Sequence, residues 1–140
     1  MYYCIMYSFE TSIRVRYSET DQMGFVYYGV YSEYLEVGRV ELLRSVGISY
    51  KELEELGFAL PVVSLNINYK KPAYYDDIII ITTIIKQLPD RKITFFYETR
   101  NQKGELLNTA DTVLVFINKQ SNKVCNVPEF VLNKLKDIML

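Results

Sequence analysis

The chain places one acid, Asp21, in a setting where a carboxylate can do chemistry. The segment Tyr17-Ser18-Glu19-Thr20-Asp21-Gln22-Met23-Gly24-Phe25-Val26-Tyr27-Tyr28-Gly29-Val30-Tyr31 puts it in a short glycine-bounded loop. A strand-like run precedes the loop and a long helix-like run follows it. The first N–H groups of a helix have no intrahelical partner. Here these are the N–H groups of Tyr28, Gly29 and Val30. A carboxylate beside such donors suits attack on an acyl carbonyl, with the donors holding the oxyanion that develops. Aspartate is ionised at neutral pH and makes a weak general base unless burial changes that. As a nucleophile it needs no such change and forms a mixed anhydride that water then cleaves. The same residues also fit a plainer reading, in which Asp21 makes an Asx turn or caps the helix.

Composition removes several other chemistries. The chain has no histidine. Ser-His-Asp and Cys-His machinery and any His-ligated zinc are therefore absent from it. Cys4 and Cys125 lie at opposite ends with no CxxC spacing, and they read as reduced thiols of a cytoplasmic protein. A formal net charge of -1 argues against a broad electrostatic footprint for nucleic acid. The apolar start, Met1 to Tyr7, lacks the basic residues and length of a signal peptide. No run approaches the roughly 20 apolar residues that span a bilayer. With 140 residues, a single domain over residues 1–140 is expected, large enough to build a core without metal or disulfide staples.

The elements that must position Asp21 follow from periodicity. Phe9 to Tyr17 reads as a strand, with Ile13, Val15 and Tyr17 opposite Arg14 and Arg16. Val30 to Val46 reads as a helix, because Tyr31, Tyr34, Leu35, Gly38, Leu42 and Val46 recur at helical spacing. Val30, Val37, Val40 and Leu43 widen that stripe, so the helix is expected to be wrapped by other elements. Gly38 costs a helix roughly 1 kcal/mol relative to Ala, a cost that close approach to a sheet would offset. Ser49 caps a short helix from Tyr50 to Leu56. Strands are expected at Val63–Lys70, Ile78–Lys86 (central and apolar), Ile93–Thr99 and Leu106–Ile117, with a last helix after Pro128. Short turns between these strands imply antiparallel pairing of successive strands. The result is an α+β fold, an antiparallel five-stranded sheet curled around one long helix.

From about Ile13 to Leu135 the chain resembles the hotdog-fold acyl-CoA thioesterases of the 4-hydroxybenzoyl-CoA thioesterase type. The most specific part is Arg16 to Tyr28, an aromatic and small or acidic residues followed by Asp-x-x-Gly, two apolar residues and an aromatic. Glu36, Arg39 and Glu41 on the helix, Pro61-Val62-Val63-Ser64 and Tyr69-Lys70-Lys71-Pro72-Ala73 with Tyr75-Asp76-Asp77 extend the match. The resemblance implies that Asp21 is the catalytic carboxylate and that N–H groups near Tyr28 and Gly29 polarise the thioester carbonyl. Many bacterial members carry His at the Tyr28 position and some carry Tyr. It further implies active sites between two subunits of a homodimer or homotetramer, a pantetheine arm threading between them, and no metal or redox cofactor. Arg91 and Lys92 match basic positions that hold CoA phosphates in some members.

Each of these residues also has a structural reading. Tyr28 either packs or lines the acyl pocket. Ser64 either makes a simple hydrogen bond or orients the attacking water. Glu36 and Arg39, three apart on a helix, are expected to pair. Asp76 and Asp77 are expected to form a turn, and Arg91 and Lys92 fit a solvated turn as well as a phosphate site. The expected function is hydrolysis of an acyl-CoA or acyl-carrier-protein thioester to a free acid. A non-catalytic hotdog module that binds acyl-CoA or a protein partner is the alternative.

Overall fold

A computed structural model describes residues 6–139 of the chain. Cys4 lies outside the described residues, and Cys125 is a free thiol.

Strand β1 (Tyr7–Arg14) alternates half-buried and exposed residues, and Val15 just beyond it is fully buried. The alternation stops there. Tyr17 lies in a 3-10 turn, Tyr17–Glu19, and is exposed rather than on the apolar face expected of it. A second 3-10 turn, Tyr28–Val30, leads into helix α1 (Tyr31–Ser45). Helix α2 (Tyr50–Glu55) follows, with the Ser49 hydroxyl accepting the Glu52 N–H at 3.0 Å as its cap. The remaining elements are β2 (Phe58–Ala59), β3 (Val62–Tyr69), β4 (Ile78–Ile85), β5 (Lys92–Asn101), β6 (Leu106–Val115), β7 (Ile117–Asn118), β8 (Lys123–Val124) and α3 (Glu129–Met139).

Five strands form one antiparallel sheet in the order β1-β4-β5-β6-β3. Strands β4, β5 and β6 are joined by tight hairpins as expected. Strand β3 is different. It pairs with β6 at the far edge, not with β4, its successor in sequence. The link 70–77 crosses from one side of the sheet to the other. Eight residues span at most ~29 Å, whereas three strand spacings need only ~15 Å, so the link is long enough to make the crossing. The run expected to be one long strand, Leu106–Ile117, breaks at Phe116. Ile117–Asn118 leaves the main sheet and joins β2 and β8 in a small three-stranded sheet.

Helix α1 lies on the sheet, chiefly over β1 and β4. Its inner face buries Tyr31, Tyr34, Leu35, Gly38, Leu42 and Leu43, and each fully buried leucine contributes roughly 1.5–3 kcal/mol. Gly38 sits where the helix meets β4. A Cβ there would stand 2.6 Å from Thr83 Oγ1 and 3.1 Å from Ile81 Cγ2, which is the close approach its position implies. Val37, expected to be wrapped, is exposed on this chain alone. Helix α3 closes the core with Val131, Leu135 and Met139.

Candidate active site

The loop from Thr20 to Tyr27 is tied at both flanks. Thr20 bridges Val26, Phe25 bridges Tyr74, and the Val26 N–H donates to Ala73 O at 2.8 Å. At its tip the Asp21 N–H donates to Phe25 O at 2.8 Å and the Gly24 N–H donates to Asp21 O at 3.0 Å. Gly24 has φ +80°, a conformation open to glycine and strained for other residues. The Asp21 side chain accepts the N–H of Met23 at 2.9 Å and of Phe25 at 3.2 Å, both at Oδ1. This is an Asx turn, and it fixes the carboxylate. Oδ2 has no hydrogen-bond partner among the described residues.

Asp21 lines an open cavity of about 370 Å³ together with Phe25, Val26, Tyr28, Tyr31, Tyr69 and the Lys70–Pro72 segment. Four aromatic rings and one carboxylate therefore line a space of ligand size. The Tyr69 hydroxyl donates to Tyr28 O at 2.9 Å, which ties the end of β3 to the turn that precedes α1. Tyr69 and Tyr31 stack edge to face at 5.7 Å. Burial, and then the neighbouring Tyr69, push the Tyr31 phenol up to about 12, so it stays neutral.

The N–H groups of Tyr28 and Gly29 have no partner among the described residues. Val30 does not join them, because its N–H donates to Tyr27 O at 2.9 Å. The 3-10 turn before α1 uses up that donor and leaves two, not three. Tyr28 is 64% exposed and faces the cavity, so packing in the core is not its role. Gly29 is exposed and is not among the residues that line the cavity. A Cβ on Gly29 would stand 3.0 Å from the Tyr27 ring.

Ser64, Arg91 and Lys92 lie elsewhere on the protomer. Ser64 is half-buried beside a bulge in β3, opposite Val113. Lys92 begins β5 opposite Val115, while Tyr69 at the cavity stands opposite Asn108. Seven residues of β6 separate those two positions, a distance of ~24 Å. Arg91 and Lys92 are both exposed. One copy of the chain does not bring these three residues to the Asp21 cavity.

Two other expectations resolve clearly. Asp76 and Asp77 form a turn. Asp76 takes φ 69° and pairs with Arg14 at 3.1 Å, and Asp77 accepts the Tyr74 N–H at 2.9 Å. Glu36 and Arg39 do not pair, since α1 turns Arg39 inward. Arg39 is 7% exposed and lies against the hydroxyl groups of Tyr97 and Tyr50. Among the described residues no group of acids and thiols could hold a metal ion, and no helix is long and apolar enough to cross a membrane.

One residue of the site has no role in the sequence reading. Glu19, two residues before Asp21, is 7% exposed and fully hydrogen-bonded. The available signal is its place three residues after Arg16 at the end of a strand, where a glutamate reaches back to the N–H that opens a turn.

The fold has counterparts among known proteins. Residues 15–135 match the family model described as the thioesterase-like superfamily. A Bacillus subtilis protein named "Putative acyl-CoA thioesterase YneP" is 38% identical over 118 residues, covering 84% of this chain and 86% of that one. The Escherichia coli O6:H1 acyl-CoA thioester hydrolase YbgC is 29% identical over 128 residues, 91% of this chain and 96% of its own. The DHNA-CoA thioesterase from Staphylococcus aureus superposes with a TM-score of 0.83 at 30% identity, covering 94% of this chain and 92% of that chain. The chain belongs to the thioesterase-like superfamily and has the hotdog fold of that family, a class of thioester hydrolases.

Proposed function

We propose that the protein hydrolyses an acyl-CoA thioester to a free acid and CoA, with Asp21 as the reacting carboxylate. The observation that carries this reading is the position of Asp21. It is held by two backbone N–H groups on the wall of an aromatic cavity, with one carboxylate oxygen left open. Oδ2 is free to reach an acyl carbon, and among the described residues no hydrogen bond ties Asp21 to a second proton-handling side chain, so we take it as the nucleophile. Its oxygen adds to the thioester carbonyl, and the Tyr28 and Gly29 N–H groups receive the oxyanion. The C–S bond then breaks, and the CoA thiolate leaves and takes a proton from solvent. Water cleaves the mixed anhydride, releasing the acid and restoring the carboxylate. An acyl-carrier-protein thioester would react in the same way. The reaction needs no metal or redox cofactor, and its place is the cytoplasm, where CoA esters are held.

The functional unit in this reading is at least a homodimer built on β3. That edge strand exposes Val62, Val63, Leu65 and Tyr69, an unpaired apolar edge of the kind that pairs with another copy. Antiparallel pairing of two β3 strands sets the Tyr69 end of one copy beside the Val62 end of the other. Ser64, Arg91 and Lys92 of each copy then stand on the side of the other copy's Asp21 cavity, where the two cations suit CoA phosphates.

A panel of short, long and aromatic acyl-CoA esters, followed by a thiol-detecting dye, tests the proposal. Release of CoA from at least one ester is expected. Binding without release across the whole panel would instead make the protein a non-catalytic hotdog module.

A further inference from the structure

We infer that Glu19 is the positioning residue that sets Asp21 against the Tyr28 and Gly29 N–H groups, acting through Tyr34 of α1. The inference rests on the role given to Asp21 above.

Glu19 uses both carboxylate oxygens. Oε1 accepts the Arg16 backbone N–H at 2.7 Å and the Tyr34 hydroxyl at 2.8 Å. Oε2 accepts Arg16 Nε at 3.3 Å and Nη2 at 3.2 Å. Its main-chain oxygen accepts the Tyr27 N–H at 2.9 Å, and Tyr27 immediately precedes the two unpartnered N–H groups. One residue thus holds three parts of the site together. Its side chain reaches α1 one turn inside the helix start, its carbonyl fixes the approach to Tyr28, and Asp21 follows two residues later.

The bonds that Asp21 makes for itself do not replace this clamp. They go to Met23 and Phe25, inside the same loop, and fix the carboxylate relative to the loop only. Among the described residues, the Glu19–Tyr34 bond is the side-chain hydrogen bond from the loop to the helix whose start carries the proposed oxyanion donors. Burial pushes the Glu19 carboxyl up, but the hydrogen bonds from the Arg16 backbone, Tyr34 and the Arg16 side chain outweigh it and hold the group below the ordinary glutamate range. Burial and then that carboxylate push the Tyr34 phenol far up. The pair is a charged acceptor with a neutral donor, the stronger kind of hydrogen bond. Rigidity matters here because a misplacement of ~1 Å at reacting atoms can cost about 10²-fold in rate.

The test compares kcat and KM of Glu19→Ala, Glu19→Gln, Tyr34→Phe and the Glu19→Ala/Tyr34→Phe double variant, on an acyl-CoA that the wild type hydrolyses. Glu19→Ala is expected to lower kcat by about 10–100-fold with KM within about twofold of wild type. Tyr34→Phe is expected to lower kcat by about 3–10-fold, a part of what a hydrogen bond to a charged group is worth. The double variant is expected to be no slower than Glu19→Ala, because the two residues act as one unit. Glu19→Gln keeps the Oε1 acceptor and is expected to recover most of the rate. If Glu19→Ala does not fold, Tyr34→Phe and Glu19→Gln carry the comparison. A Tyr34→Phe variant with wild-type kcat, or losses that simply multiply in the double variant, would overturn the inference. Asp21→Asn separates the two layers. If Asp21→Asn is inactive while the Tyr34 and Glu19 variants keep full rate, only the positioning role fails. If Asp21→Asn is fully active, the underlying role of Asp21 fails.

Discussion

The two ends of β3 carry different chemistry. At the Tyr69 end, Asp21 and four aromatic rings line a cavity, and the Tyr69 hydroxyl is bonded to the main chain of Tyr28. At the Val62 end the strand is bulged and apolar and lies near the start of β5, where Arg91 and Lys92 are exposed. The first end has the carboxylate proposed to react, and the second has cations. About 24 Å of sheet lies between them, so in the proposed reading one protomer holds the two halves of a CoA-ester site facing apart. Pairing of β3 across a two-fold axis would bring unlike ends together, and in this account the site exists only in the assembled form.

Disrupting the edge should have the larger effect. Val63→Lys with Leu65→Lys places two charges on the exposed side of β3, a device that blocks edge pairing. The double variant is expected to run as a monomer in analytical ultracentrifugation and to lose at least about 100-fold in kcat/KM, since each cavity then lacks the Ser64 and the cations of the other copy that hold the ester in place. A fully active monomer would show that each end works alone. Reversing charge at the other end should have a smaller and more selective effect. Arg91→Glu with Lys92→Glu is expected to raise KM for CoA esters about tenfold, corresponding to ~1.4 kcal/mol, with kcat at saturation unchanged. Unchanged KM would remove Arg91 and Lys92 from the site and leave the Val62 end purely structural.

Much of this architecture was legible in the residues. The alternation through Ile13 and Val15, the helical spacing from Tyr31 to Leu42 and the Ser49 cap each depend on local sequence, and the structure follows them. Gly38 was legible as well, because a glycine inside a helix implies a close neighbour, and that neighbour is β4. The place of β3 was not legible. Which strand a segment pairs with depends on where the link 70–77 carries the chain, and the link's composition does not encode that. Arg39 and Glu36 illustrate a second limit. Helical spacing made them partners, but the axial rotation of α1 points Arg39 into the core toward Tyr97 and Tyr50. In the site, Asp21 stood out by its motif, whereas nothing about the residue type of Glu19 distinguishes a buried clamp from a solvated acid. The loss of Val30 as a donor came from the 3-10 turn Tyr28–Val30, which starts the helix one residue later than its spacing implies. Such a boundary shift is below what periodicity resolves.

The central claim is that the Asp21 carboxylate breaks the thioester. Its most direct test is the kcat of Asp21→Asn on a responsive acyl-CoA, measured beside circular dichroism and sedimentation of the same preparation. Asparagine keeps the Oδ1 acceptor for Met23 and Phe25 and removes the charge, so an unchanged fold and assembly are expected, with kcat lower by at least about 10³-fold. A variant that folds, assembles and hydrolyses at the wild-type rate would contradict the account.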